Sequence, residues 1–321
     1  MQLNFEQIKS ITLGADRVEQ VTDGFAFHRM TKSQEKAFFD HRERFLPRAY
    51  ATTSVRFDFH TNSDYLKIGF CNIKEGTPAS FYGFDVFVNG SLVHSHFGNP
   101  LKDTEGDFLV ELFGDSHVQV FFPNLAIPTI KSVEFSDGSK VTPFIPKKKL
   151  LCFGDSITQG YAAICPSNLY VNIIARRLDA DIRNISMASG HFFADAIEKI
   201  NGFDPDIITV AYGTNDWNGK RELFMPRCEQ FMKKLNSVYP DTKVFVILPI
   251  WRVDCDEVKE LTGDFYSHCD FIKKQAELYG FEVIDGLALV PHDLSLYVDK
   301  QLHPNDVGFI HYANNLIKYF K

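Results

Sequence analysis

The chain has 321 residues, 45% of them hydrophobic and 23% charged, with 34 basic side chains against 41 acidic ones and a net charge of −7. Domains average roughly 100–200 residues, so this length predicts two, and the near-average composition excludes disordered, collagen-like and coiled-coil architectures. The acidic balance excludes an extended nucleic-acid groove, which needs clustered Lys and Arg.

The first ten residues, Met1 to Ser10, carry acidic and polar side chains where an export signal would carry a basic stretch and then an apolar run. No segment reaches the roughly 18 apolar residues of a spanning helix, so no membrane association is expected. The six cysteines lie at 71, 152, 165, 228, 255 and 269 without a C-x-x-C pair, which predicts reduced thiols, a cytoplasmic location and no zinc cluster.

In chain order, the polar stretch Thr31 to Arg44 predicts a surface helix. From about Ser54 to Val133 the pattern has a period of two: Val55, Phe57 and Phe59 alternate with Arg56, Asp58 and His60, giving one apolar and one wet face. Further strands are expected at Tyr65 to Phe70, Phe84 to Val88, Phe108 to Leu112 and Val118 to Phe122. Asn89-Gly90 supplies the positive φ angles of a tight hairpin. Short strands at this spacing predict an antiparallel sandwich, and many of the 31 phenylalanines fall in them.

Two prolines and three lysines at Pro143 to Lys149 end this pattern, placing the boundary between a first domain of residues 1–147 and a second of 148–321. Buried-looking strands then alternate with amphipathic helices: Leu150 to Phe153, Asn168 to Leu178, Ile207 to Tyr212, Pro226 to Val238, Lys243 to Pro249, Asp264 to Tyr279, and a last helix behind Pro304-Asn305. This alternation predicts a parallel sheet covered by helices on both faces, an α/β domain.

In such a sheet the reactive crevice lies beyond the carboxyl ends of the strands. The first strand runs into Gly154-Asp155-Ser156-Ile157-Thr158, which puts a serine at that edge; a serine capping the next helix is the alternative reading. Ile207 to Tyr212 runs into Gly213-Thr214-Asn215-Asp216, adding a side-chain amide, and Asn184 to Gly190 offers a glycine N–H. His303 stands on the loop before the last helix, where it can turn back over the edge.

These four segments resemble, in order, the signature blocks of the SGNH or GDSL hydrolases, a family of serine esterases and lipases. The likeness covers roughly Leu150 to Lys321. It implies a flavodoxin-like three-layer domain with Ser156 as nucleophile, the Ser156 and Gly190 N–H groups and the Asn215 amide as oxyanion hole, and His303 as general base, with no metal or organic cofactor. Thr158, two residues after the serine, separates it from the G-x-S-x-G of ordinary α/β-hydrolases. The family usually has an aspartate three residues before the histidine, where this chain has Lys300; Asp299, one residue further back, is the candidate third member, and a Ser-His dyad the alternative. A β-sandwich before such a domain resembles the two-domain carbohydrate acetylesterases of carbohydrate esterase family 2. The expected reaction is therefore hydrolysis of short acyl esters, in particular O-acetyl groups on carbohydrate.

Around the core of the site, Asp155 is expected to brace the nucleophile turn, and His191 either lines the pocket or only fills its loop. Trp217 and Trp251 follow strand ends and are candidates for a sugar-stacking wall, or core aromatics. Two competing readings remain: a non-catalytic carbohydrate-binding protein with a decayed hydrolase domain, and a thioesterase or lysophospholipase using the same serine chemistry. The sequence leaves the oligomeric state open.

Overall fold

The computed structural model describes residues 1–79 and 81–320. Two antiparallel sheets face each other in the amino-terminal half. One contains Thr12–Leu13, Arg56–Thr61, Ser116–Phe121, Tyr82–Val88 and Ser91–Gly98 in that spatial order, with Val141–Pro143 alongside Arg56–Thr61; the other runs Arg17–Val21, Gly24–His28, Ala126–Phe135, Tyr65–Glu75, Gly106–Glu111. Their inner faces interleave a phenylalanine core. Phe122 meets Phe57 and Phe27 edge-on, at centroid separations of 4.8 and 5.0 Å, a geometry that aligns the positive edge of one ring with the negative face of the next. The hairpin at Asn89-Gly90 has both residues at positive φ, 50° and 81°, as its turn type requires.

Arg56–Thr61 departs from the expected half-wet strand. Arg56 and Asp58 are 1% and 0% exposed, because this outer face lies against the second half of the chain. Arg56 Nε donates to Asp58 at 2.9 Å while its Nη2 reaches the Ala180 carbonyl at 2.8 Å. Burying these charges is tolerable only because each is paired.

The second half is built on a five-stranded, all-parallel sheet: Lys148–Gly154, Ala180–Ser186, Ile207–Ala211, Lys243–Ile247 and Glu282–Ile284. Counted along the chain, the spatial order is 2-1-3-4-5, the flavodoxin-like arrangement, whose switch point lies beside the first strand. Alternation along that first strand explains the layers. Leu150 and Cys152 pack under helices Tyr170–Arg177 and Asp306–Leu316, and Leu151 and Phe153 pack under Arg221–Val238 and Phe265–Glu277. The strand Ala180–Ser186 escaped the sequence reading because Asp181, Arg183, Asn184 and Ser186 make it look polar. Several of these polar groups serve the contact between halves: Asp181 accepts from Gly14 N at 2.8 Å and Asn184 donates to Ser54 Oγ at 3.0 Å.

The polar stretch after Met30 forms Lys32–His41 and the short helix Leu46–Tyr50. Helix Lys32–His41 lies at the surface as expected, but as part of an arm whose inner face is buried. Thr31 and Gln34 form a capping box at its start, and Phe38, Phe45, Ala49 and Met30 join the core on one face of the parallel sheet. Arg29 anchors it: fully buried, its guanidinium donates to the carbonyls of Ala51 (3.0 Å), Arg48 (3.0 Å), Ser186 (2.9 Å) and Asn184. Burial pushes its pKa down to about 9.

Candidate active site

Ser156 is the first residue of the short helix Ser156–Gln159, which follows strand Lys148–Gly154 after Asp155. Asp155 caps that helix, its Oδ1 accepting from Ile157 N at 3.0 Å, and burial pushes its carboxyl up to about 6. Gly154 makes the tight strand-to-helix turn possible, since a Cβ there would stand 2.2 Å from Thr158 Oγ1. At the helix start the Ser156 N–H has no intrahelical acceptor and is free to meet an anion.

His303 hangs from the loop before helix Asp306–Leu316, and its Nε2 lies 2.9 Å from Ser156 Oγ. Its Nδ1 lies 2.6 Å from Asp299 Oδ2. The other Asp299 oxygen accepts from the backbone N–H groups of Gln301, Leu302 and His303 at 2.9, 2.9 and 3.1 Å. Partial burial opposes ionisation of this carboxyl, but the His303 side chain and the three N–H groups together hold it well below the usual range. The extra residue between Asp299 and His303 is absorbed by Lys300, whose φ of 56° folds the chain into a compact turn. Asp306 starts the last helix and ties it to the neighbouring loop, accepting from Ile164 N and Cys165 N at 3.1 and 2.9 Å.

The oxyanion side needs one correction. The Gly190 N–H, expected to be free, donates to the Met187 carbonyl at 2.7 Å, closing the turn after strand Ala180–Ser186. A Cβ at this glycine would stand 2.6 Å from the same carbonyl, so the turn itself demands glycine. Asn215 Nδ2 donates to the Gly190 carbonyl at 2.9 Å, which orients the amide and leaves its second N–H for a ligand. In this state the donors at hand are the Ser156 N–H and that remaining Asn215 N–H.

The outlying candidates divide. Trp217 is 0% exposed: its Nε1 donates to Gly263 O at 3.1 Å and its ring meets Phe265 edge-on, so it is core and cannot stack on a sugar. Asp155 is 2% exposed and acts on the turn rather than on a ligand. Trp251 is half-buried and stacks on His292 at 5.2 Å. His191 lines the cavity beside Gly190, with Nδ1 3.4 Å from Oδ1 of the buried Asp216. That cavity measures about 100 Å³, and the arm supplies Phe38, His41 and Phe45 to its lining, which also includes Arg227. Tyr161, whose ring lies 4.7 Å from that of His303, completes the surroundings. Its place directly after Gly160 could have flagged it; nothing in the sequence ties the arm to this site.

A serine, an imidazole and a carboxylate in hydrogen-bonded series at the carboxyl edge of a parallel sheet can carry out acyl transfer. Residues 152–309 match the GDSL-like lipase/acylhydrolase family. This region is a GDSL-like hydrolase domain. No curated protein matches the sequence of the chain. Solved structures similar to the chain span almost all of it. A salicylyl-acyltransferase from a tetracycline biosynthetic pathway is 21% identical, with 95% of this chain and 92% of that one covered at a TM-score of 0.82. A GDSL-like lipase of Bacteroides ovatus is 17% identical (99% and 95%, TM-score 0.78). A family two carbohydrate esterase of Clostridium thermocellum, solved with cellohexaose, is 16% identical (97% and 98%, TM-score 0.65). At these identities the likeness is one of fold: a sandwich joined to a GDSL hydrolase domain.

Proposed function

We propose that the protein is a serine esterase that hydrolyses short-chain acyl esters, with O-acetyl groups on carbohydrate as the leading substrate class. The observation that carries this reading is the series Ser156 Oγ–His303 Nε2 at 2.9 Å and His303 Nδ1–Asp299 at 2.6 Å. His303 takes the serine proton as Oγ attacks the ester carbonyl, because a neutral hydroxyl is too weak a nucleophile. Asp299, ionised by its three N–H donors, holds the imidazole in the tautomer that accepts at Nε2 and stabilises the imidazolium that forms. The oxyanion is met by the Ser156 N–H and the free Asn215 N–H. The Gly190 N–H joins them only when the Met187 turn opens. His303 then protonates the leaving alcohol and activates the water that releases the acid.

Ser156 and His303 do not line the cavity beside Gly190, so the short-acyl assignment draws on the carbohydrate-esterase fold and not on a cavity volume. The carbohydrate assignment draws on the two-domain family two carbohydrate esterases that share this fold. A cytoplasmic location is supported by the six unpaired thiols. None of the described helices is long and apolar enough to cross a membrane.

The test is a series of 4-nitrophenyl esters of increasing acyl length, followed by acetylated xylo-oligosaccharides with released acetate as readout. Activity is expected to be greatest for acetyl and to fall with each added pair of methylenes. A steady rise towards long chains would instead favour the lysophospholipase or thioesterase reading.

A further inference from the structure

Around Phe45, in the wall of the cavity beside Gly190, lies a charge pattern that hydrolysis of a neutral ester does not use. The guanidinium groups of Arg42, Arg44 and Arg48 stand 5.6, 5.8 and 5.6 Å from the ring centroid of one residue, Phe45. Phe45 is itself buried and lines the cavity beside Gly190, as does Arg227. Arg17, Arg56, Arg183 and Arg252 each hold a carboxylate, whereas among the described residues Arg42, Arg44, Arg48 and Arg227 hold none, as is also true of Arg29, Arg176, Arg177 and Arg221. The arm's three arginines and Arg227 repel one another. Besides partial burial, Arg44 and Arg227 hold the Arg42 pKa down, and Arg44 and Arg42 act in the same sense on Arg48. In a chain of net charge −7, a cluster of unpaired guanidiniums beside a cleft concentrates an anion-attracting field in one place.

Arg48 connects this cluster to the chemistry. Its guanidinium donates to the Ala188 carbonyl, two residues before Gly190, and its own carbonyl accepts from Gln159 Nε2 at 2.9 Å, on the helix that begins with Ser156. Tyr161, two residues beyond Gln159, has its ring 4.7 Å from that of His303. The leaving oxygen must take its proton from His303, so the alcohol part of the ester lies on the His303 side, towards Tyr161 and Arg48.

We propose that Arg42, Arg44 and Arg48 form an anion-recognition subsite, and that the natural substrate is an ester whose alcohol part carries a carboxylate or phosphate, such as an acidic sugar. This rests on the esterase reading above and adds its substrate class. It also gives the amino-terminal half a role in specificity, since all three arginines come from the arm.

The experiment compares kcat/KM of the full chain for phenyl acetate, 3-acetoxybenzoate and 3-acetoxyphenyl phosphate, each normalised to its hydroxide-catalysed rate. At low ionic strength a charged ester is expected to be favoured about tenfold over phenyl acetate, and the larger of the two ratios identifies the anion. The preference should shrink as salt is added and fall towards one in Arg44→Gln and in Arg48→Gln. Arg44 is exposed, so its variant remains informative if Arg48→Gln disturbs the Ala188 loop. Equal normalised rates in the wild type, or a preference untouched by Arg44→Gln, would overturn the subsite. A gain confined to 4-nitrophenyl hemisuccinate over 4-nitrophenyl acetate would place the anion on the acyl side and overturn the assignment to the alcohol. Failure of the folded chain to hydrolyse even phenyl acetate would be a different result, counting against the esterase reading itself.

Discussion

Asp299 and Asp155 are both carboxylates near the serine, and their surroundings push them in opposite directions. Asp299 is held ionised by four hydrogen-bond donors, so Asp299→Asn should reverse the imidazole tautomer while leaving the backbone turn in place. The expected loss is about 10²–10⁴-fold in kcat with an unchanged unfolding curve. A fall of less than tenfold would support a Ser-His dyad. Asp155 is the reverse case: burial raises its pKa from 3.8 to about 6. The folded chain therefore binds this proton more tightly than the unfolded one, and stability falls as pH rises from about 4 to 6. Asn caps a helix as well as Asp, so Asp155→Asn keeps the cap and removes the buried charge. Its stability relative to wild type in urea unfolding should improve by roughly 2–3 kcal/mol between pH 4 and pH 7; a pH-independent difference would refute this account. Ser156, Asn215 and His303 were legible because each sits in a short contiguous motif. Arg48 and His41 were not, since what makes them relevant is proximity to residues 140 or more positions away. Trp217 misled because a motif fixes where a residue stands and not which way its side chain turns.

At the level of elements, legibility followed periodicity. The parallel strands at Lys148–Gly154, Ile207–Ala211 and Lys243–Ile247 and the helices between them carry uninterrupted apolar signals, and their ends in the structure lie within a few residues of those expected. Helix Arg221–Val238 is the main exception, because Pro226 suggested a start but occupies the second turn. Strands Arg17–Val21 and Gly24–His28 went unseen: the first is half-exposed along its length and has no clear alternation. The buried face of the arm was missed for a different reason. Its helix Lys32–His41 is mostly polar, and the one face that buries Phe38 has its partner in the other half of the chain. A local pattern reports that a face is apolar without reporting what covers it.

Across the whole molecule, the two halves are joined by buried polar contacts as well as by packing. Asp85 accepts from both the N–H and the hydroxyl of Ser167, at 3.0 and 2.6 Å, Arg56 reaches Ala180, and Arg29 holds the end of strand Ala180–Ser186. Each of these groups would be left unpaired by separation, so the halves are set as one body around the site. Among the described residues one serine is paired with an imidazole, which makes the central claim directly measurable. Incubation of the full chain with a fluorophosphonate, followed by intact mass and peptide mapping, is predicted to give a single adduct on Ser156, absent from Ser156→Ala and slowed in His303→Ala. A folded chain that takes up no label and turns over no ester would contradict the account and leave the carbohydrate-binding reading in its place.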